Sequence, residues 1–74
     1  MDANDERLLR LGQAIARRRQ EAGISQIALS RMLGHANHSH LSRVENGKSA
    51  PSMEMMFDIA DALDTDIHYF FTEI

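Results

Sequence analysis

The sequence predicts an all-α fold of five short helices around one core, and three observations carry that reading. Apolar residues recur at three- and four-residue steps in several separate stretches, glycines or a Pro-Ser pair punctuate the intervals, and no stretch alternates with the two-residue period of a half-buried strand. With 74 residues the chain makes one domain, 1–74, whose stability is modest because so small a body buries a limited share of its surface.

Helix 1 is expected over residues 5–22, where Leu8, Leu11, Ile15 and Ala22 form an apolar stripe and Arg7, Arg10, Arg17 and Arg18 lie mostly off it. Gly12 interrupts this good helix-forming sequence at a cost of about 1 kcal/mol against alanine, which points to a close helix contact there. Gly23 ends the helix. Helix 2 runs from Ser25 to Leu33, with Ser25 placed to cap its first turn, Leu29 and Leu33 facing inward, and Gly34 as its stop. Helix 3 covers about 38–46, and its single stripe, Leu41 and Val44, shows that only one narrow side meets a core. Gly47 is its left-handed stop. Pro51-Ser52 starts helix 4, which runs to about Leu63 with Ser52 as cap. Met53, Met56, Ile59, Ala60 and Leu63 fall on one side of it, and Glu54, Asp58 and Asp61 on the other. Its methionines read as core filler. Asp66 caps a short helix 5 over 67–71, and residues 66–74 form an aromatic end in which Phe70 is the candidate for the core.

Helices 2 and 3, spanning about 25–46, flank a glycine turn, and the face of helix 3 opposite its apolar stripe carries His38, Ser39, Ser42 and Arg43. All four side chains donate hydrogen bonds. A polar helix face held across a second helix is how a helix-turn-helix presents its recognition helix to the major groove.

The net charge of −3 argues against a nucleic-acid partner until its distribution is read. All eight Lys and Arg lie between Arg7 and Lys48, where Glu21 and Glu45 are the only acids, leaving +6 for the middle and −9 for the two ends. A basic middle that contains the two-helix element gives the molecule a positive side for phosphate. The chain has no cysteine, so it has neither a disulfide framework nor a Cys-based zinc site, in keeping with a reducing cytoplasm. A polar, acidic start at Met1–Glu6 and the lack of an apolar run of roughly 18 residues predict a soluble, untargeted chain outside any membrane.

The pattern Gly12, Ile15, Arg19, Gly23, Ser25-Gln26, Leu29, Gly34, Leu41 to Lys48, Pro51-Ser52, Ile59-Ala60, Leu63 and Phe70-Phe71 resembles the Cro and phage-repressor helix-turn-helix family, the Xre-type regulators, over almost the whole chain. Each piece alone is weak. The ordered set of a Gly-x-Ser-Gln helix start, an Asn-Gly-Lys ending and a Pro-Ser start is specific. The resemblance implies a repressor-like, sequence-specific DNA-binding transcriptional regulator, a homodimer on a palindromic operator, of repressor or restriction-modification controller type. By the same resemblance Gln26 clamps a DNA phosphate at the start of helix 2, and Asn46 and Lys48 contact phosphate just past helix 3. His38, Ser39 and Arg43, with Ser42 close by, reach base edges, where an arginine can fork onto guanine O6 and N7. Arg19 and Glu45 match a family ion pair joining helix 1 to the end of helix 3. Two such domains are needed to read successive major grooves, and Tyr69, Phe71 and Ile74 are the candidates for the dimer surface.

Three departures from the family pattern bear on these roles. One residue more than the commonest spacing separates Gly34 from Leu41, so the turn His35-Ala36-Asn37 is longer. Ile27 and Ala28 stand where acids are usual, which removes the capping box and leaves Ile27 exposed. Asp64 replaces a usual glycine at a position that calls for a left-handed backbone.

Rival classes fare worse. His35, His38 and His40 suggest a metal site, yet His38 and His40 are two apart and point to different sides of a helix, so no metal and no cofactor is expected. No cysteine nucleophile, acid pair or phosphate-cradling glycine loop supports catalysis, and the chain reads as no enzyme. The alternative with more support is an antitoxin-like member of the same fold, whose acidic helix 4 or aromatic tail holds a toxin protein as partner.

Overall fold

The computed structural model describes residues 3–72, and they form five helices with no strand among them. These are α1 (Ala3–Glu21), α2 (Gln26–Met32), α3 (Ser39–Glu45), α4 (Met53–Ala62) and α5 (Ile67–Phe71). Helix α1 packs against α3 and α5, α2 packs against α3 and α4, and α4 packs against α5. The small polar caps named from sequence start three of the five helices. Ser25 Oγ accepts from the Ala28 amide at 3.0 Å, Ser52 Oγ from Met55 at 3.1 Å, and Asp66 Oδ1 from His68 at 2.8 Å. Each satisfies an amide that the first turn leaves without an intrahelical acceptor.

One core runs through the domain. Leu11, Ala14 and Ile15 from α1, Leu29 from α2, Leu41 and Val44 from α3, the inner row of α4 and Phe70 from α5 are all buried. The row on α4 differs from the expected one. Met55 is buried with Met56, Ile59, Ala60 and Leu63, whereas Met53 is 56% exposed. At 100° per residue Met53 stands about a quarter turn from the centre of that row, so three-residue spacing from Met56 did not bring it inside. Ala22 is likewise exposed, because α1 stops at Glu21 and the chain has already turned toward Gly23. Helix α3 starts at Ser39, so His38 is its N-cap residue and not its first turn.

Two glycines let backbones meet. A Cβ on Gly12 would run into the carbonyl oxygens of Val44 and Glu45, so the last turn of α3 lies directly on the α1 backbone. Gly47 has φ of +74°, and a Cβ there would sit 2.7 Å from the Leu9 Cα. Its left-handed backbone and the close approach both select glycine. Asp64 takes the same conformation without being glycine, at φ of +53°. The guanidinium of Arg18 lies over this helix end, donating from Nη2 at 2.9 Å and from Nε at 3.2 Å to the Leu63 carbonyl and from Nη2 at 3.3 Å to that of Asp64. A cation on the last carbonyls of α4 favours both the hydrogen bonds and the helix dipole, and it offsets the strain of the aspartate.

Arg19 and Glu45 form a buried bidentate pair. Arg19 Nε donates to Glu45 Oε2 at 2.7 Å and Nη2 donates to Oε1 at 3.1 Å, while Nη1 donates to the Ile24 carbonyl at 2.9 Å. Removing either partner leaves a charge shielded from water without its counterion. Truncating Arg19 or Glu45 to alanine is expected to cost roughly 3 kcal/mol or more, against about 0.5 kcal/mol or less for exposed Arg10. In thermal or urea denaturation the double variant loses less than the sum of the singles; strict additivity would show the two are not coupled.

Candidate nucleic-acid interface

Helix α3 has seven residues, and its burial splits them cleanly. Leu41 and Val44 face the core, while His38 at the cap, Ser39 and Arg43 are exposed and Ser42 is half-buried. His38 with Ser42 and Ser39 with Arg43 are pairs four residues apart, so the four project along one face. The turn before this face is built by polar side chains. Asn37 Oδ1 accepts from the Ser39 amide at 2.9 Å, supplying the cap that His38 lacks. The His35 and His40 rings lie 5.6 Å apart at a tilt of 57° and brace the longer turn across the start of α3. Beside it, Ile27, Ser30 and Arg31 of α2 and residues 35–38 enclose an open cavity of about 220 Å³. Ser30 Oγ and His35 Nδ1 are buried there without a hydrogen-bond partner among the described residues. Among the described residues no three His, Asp or Glu side chains are grouped to hold a metal ion.

The flanking residues named from sequence sit at both ends of the two-helix element. Gln26 opens α2 half-buried, and its Nε2 donates to Glu45 Oε1 at 2.8 Å. Asn46 Nδ2 donates back to the Ser42 carbonyl at 2.8 Å, closing the end of α3, and exposed Lys48 follows where the chain leaves the helix. Exposed Arg31 adds a further cation on α2. The exposed acids Glu54, Asp58 and Asp61 belong to α4, a different element.

The aromatic end divides. Phe70 is fully buried, Tyr69 is half-buried with its hydroxyl donating to Glu21 Oε1 at 3.4 Å, and Phe71 is 36% exposed. Ile74 lies outside the described residues. The reading from sequence passed over Phe57, which is 54% exposed one helical turn from Met53. The signal was present, since an aromatic and a methionine four apart and both off the buried row mark a second apolar stripe on α4. Ile27 is exposed, as its position on α2 led one to expect.

Residues 15–70 match the helix-turn-helix family HTH_3, more than half of the chain. The chain belongs to that family. It is a family of DNA-binding transcriptional regulators and not a class of enzymes. Among solved structures, the restriction-modification controller protein C.AhdI from Aeromonas hydrophila superposes with a TM-score of 0.87 at 27% identity, covering 95% of this chain and 100% of that one. An HTH_3 family transcriptional regulator from Vibrio cholerae superposes with a TM-score of 0.82 at 21% identity, covering 95% of this chain and 39% of the other, and so shares the fold. No curated protein sequence matches significantly. No helix among the described residues is long and apolar enough to cross a membrane.

The cap on α3 generates its own test. Replacing Asn37 by alanine removes the acceptor of the Ser39 amide and is expected to cost about 1 kcal/mol, with faster hydrogen exchange at Ser39 ahead of any change in α1 or α4.

Proposed function

We propose that this protein is a sequence-specific transcriptional regulator that binds a two-fold symmetric operator as a homodimer, in the manner of restriction-modification controllers. The observation that carries the reading is the donor-rich face of α3, His38, Ser39, Ser42 and Arg43, standing clear of the core on a helix whose other side is buried. In a domain that aligns over 95% of its length with a controller protein, such a face has the form of a base-reading surface. Arg43 forks onto guanine, and His38, Ser39 and Ser42 supply single hydrogen bonds. Gln26, Asn46 and Lys48 hold phosphates on either side and set the helix in the groove. One α3 reads only a few base pairs, so a second copy about 34 Å away is needed for useful discrimination. Of the exposed apolar side chains, Phe71 and, on α4, Met53 and Phe57 serve that contact together with half-buried Tyr69, and Ile74, outside the described residues, is assigned to it from the sequence alone.

Selection of random duplexes with the purified protein is expected to return an inverted repeat whose half-sites are centred about one helical turn apart. On that operator, Arg43→Ala weakens binding by roughly 1–3 kcal/mol and changes preference at one or two base positions. Lys48→Ala weakens all sequences alike and flattens the slope of log affinity against log salt by about one unit. Unchanged sequence preference in Arg43→Ala would overturn the assignment of the base-reading face. Sedimentation at micromolar concentration tests the dimer, with the wild type expected to be dimeric and Phe57→Asp/Phe71→Asp folded, monomeric and weak on the operator. A wild type that is monomeric both free and on DNA rules the dimer out.

A further inference from the structure

We propose that Glu45 is a positioning residue for DNA binding, its carboxylate orienting the Gln26 carboxamide so that the second N–H of that amide is presented to a backbone phosphate. The proposal rests on the reading of Gln26 as a phosphate contact. Glu45 Oε2 accepts from Arg19 Nε at 2.7 Å, and Oε1 is shared between Arg19 Nη2 at 3.1 Å and Gln26 Nε2 at 2.8 Å. An ionised carboxylate accepts and never donates, so the glutamine faces it only through nitrogen. A flipped amide would set two acceptor oxygens at hydrogen-bond distance with no proton between them. The amide group carries two hydrogens, and Glu45 takes one of them. The other belongs to a half-buried side chain whose rotamer is already fixed before DNA arrives, which removes an ordering cost from binding.

The pairing with Arg19 is what allows an acid this close to a phosphate site. An isolated carboxylate would repel the DNA backbone, whereas one bound bidentately by a guanidinium contributes its acceptor geometry without a net charge. The same triad therefore ties the tightness of α1 on α3 to the aim of the first side chain of α2.

The test measures operator affinity of the full chain at fixed salt, well below the melting temperature, for Gln26→Met, Glu45→Gln and the double variant. A glutamine in place of Glu45 can offer either its oxygen or its nitrogen to Gln26, so the lock on orientation is lost. Each single variant is expected to weaken binding roughly tenfold, and the double variant stays within about threefold of the weaker single, as residues acting through one another do. If Glu45→Gln multiplies the Kd by the same factor with Gln26 or methionine present, or leaves it unchanged, Glu45 acts on stability alone and the proposal is overturned. If Gln26→Met leaves affinity unchanged while Arg43→Ala does not, the phosphate role of Gln26 falls, and the proposal with it, while DNA reading by α3 stands. Should Glu45→Gln fail to fold, Glu45→Asp takes its place, keeping the charge for Arg19 while drawing the carboxylate back from Gln26. In the wild type by NMR, one proton of the Gln26 side-chain amide is expected downfield and protected from exchange. A pair at free-amide positions in fast exchange overturns the proposal whatever the variants do.

Discussion

The buried contact of Arg19 with Glu45 is the constraint on which the geometry of this domain depends. It joins the last turn of α1 to the last turn of α3, and the remaining guanidinium nitrogen holds the Ile24 carbonyl in the loop that leads into α2. Three segments distant in sequence thus meet on one pair of side chains. Ion pairs away from water are weak evidence for net stability, since desolvation consumes most of the attraction, but they are demanding of geometry. A hydrophobic pair in the same place would tolerate sliding and rotation of α3. The fork of two hydrogen bonds at 2.7 and 3.1 Å does not. For a helix whose polar side chains are aimed outward at a fixed register, restraint of direction matters more than a gain in total free energy.

The charge pattern solves a second problem of so small a regulator. A chain of net charge −3 approaches a polyanion, yet beyond about 8 Å at physiological salt most of its acids are screened. On the proposed interface, the charge offered to phosphate is local. Arg31, Arg43 and Lys48 are exposed on or beside α2 and α3, and the exposed acids of α4 lie on another element. Glu45 is the acid nearest the polar face of α3 in sequence, and it is bound by Arg19.

Much of this was legible in the sequence, for identifiable reasons. Helix starts at Ser25, Ser52 and Asp66 were readable because a short acceptor before an apolar period has few other uses. Leu41 and Val44 revealed the single buried edge of α3, and hence its polar side, because the helix is short and the stripe has two members. Gly12 declared a close contact because glycine has no other reason to stand in a long helix. The failures came where spacing alone leaves the choice open. On α4 three methionines fall within four residues, and counting by threes chose Met53 where the helix turned Met55 inward. Phe57 escaped because a search for one stripe does not ask about a second. Arg18 showed in the sequence only as a charge off the apolar stripe of α1, since its acceptors are 45 and 46 residues away. The start of α3 was set at about 38, one residue early, because Asn37 caps from outside the helix where a cap residue was sought at its edge.

Gly12 lets the final carbonyls of α3 rest on the backbone of α1, and no side chain of variable size stands between them. The two ends of α3 are therefore held to different tolerances. Its C-terminal end is fixed by main-chain contact and by Glu45, while its N-terminal end hangs from a turn made of His35, Ala36 and Asn37 and closed by one side-chain cap. A residue added to or lost from that turn changes where the first donors of the helix fall without disturbing the anchorage behind Arg43. On the proposed reading, the length of one loop is a separate dial for sequence preference, free to vary among descendants while the framework behind the phosphate contacts stays as it is.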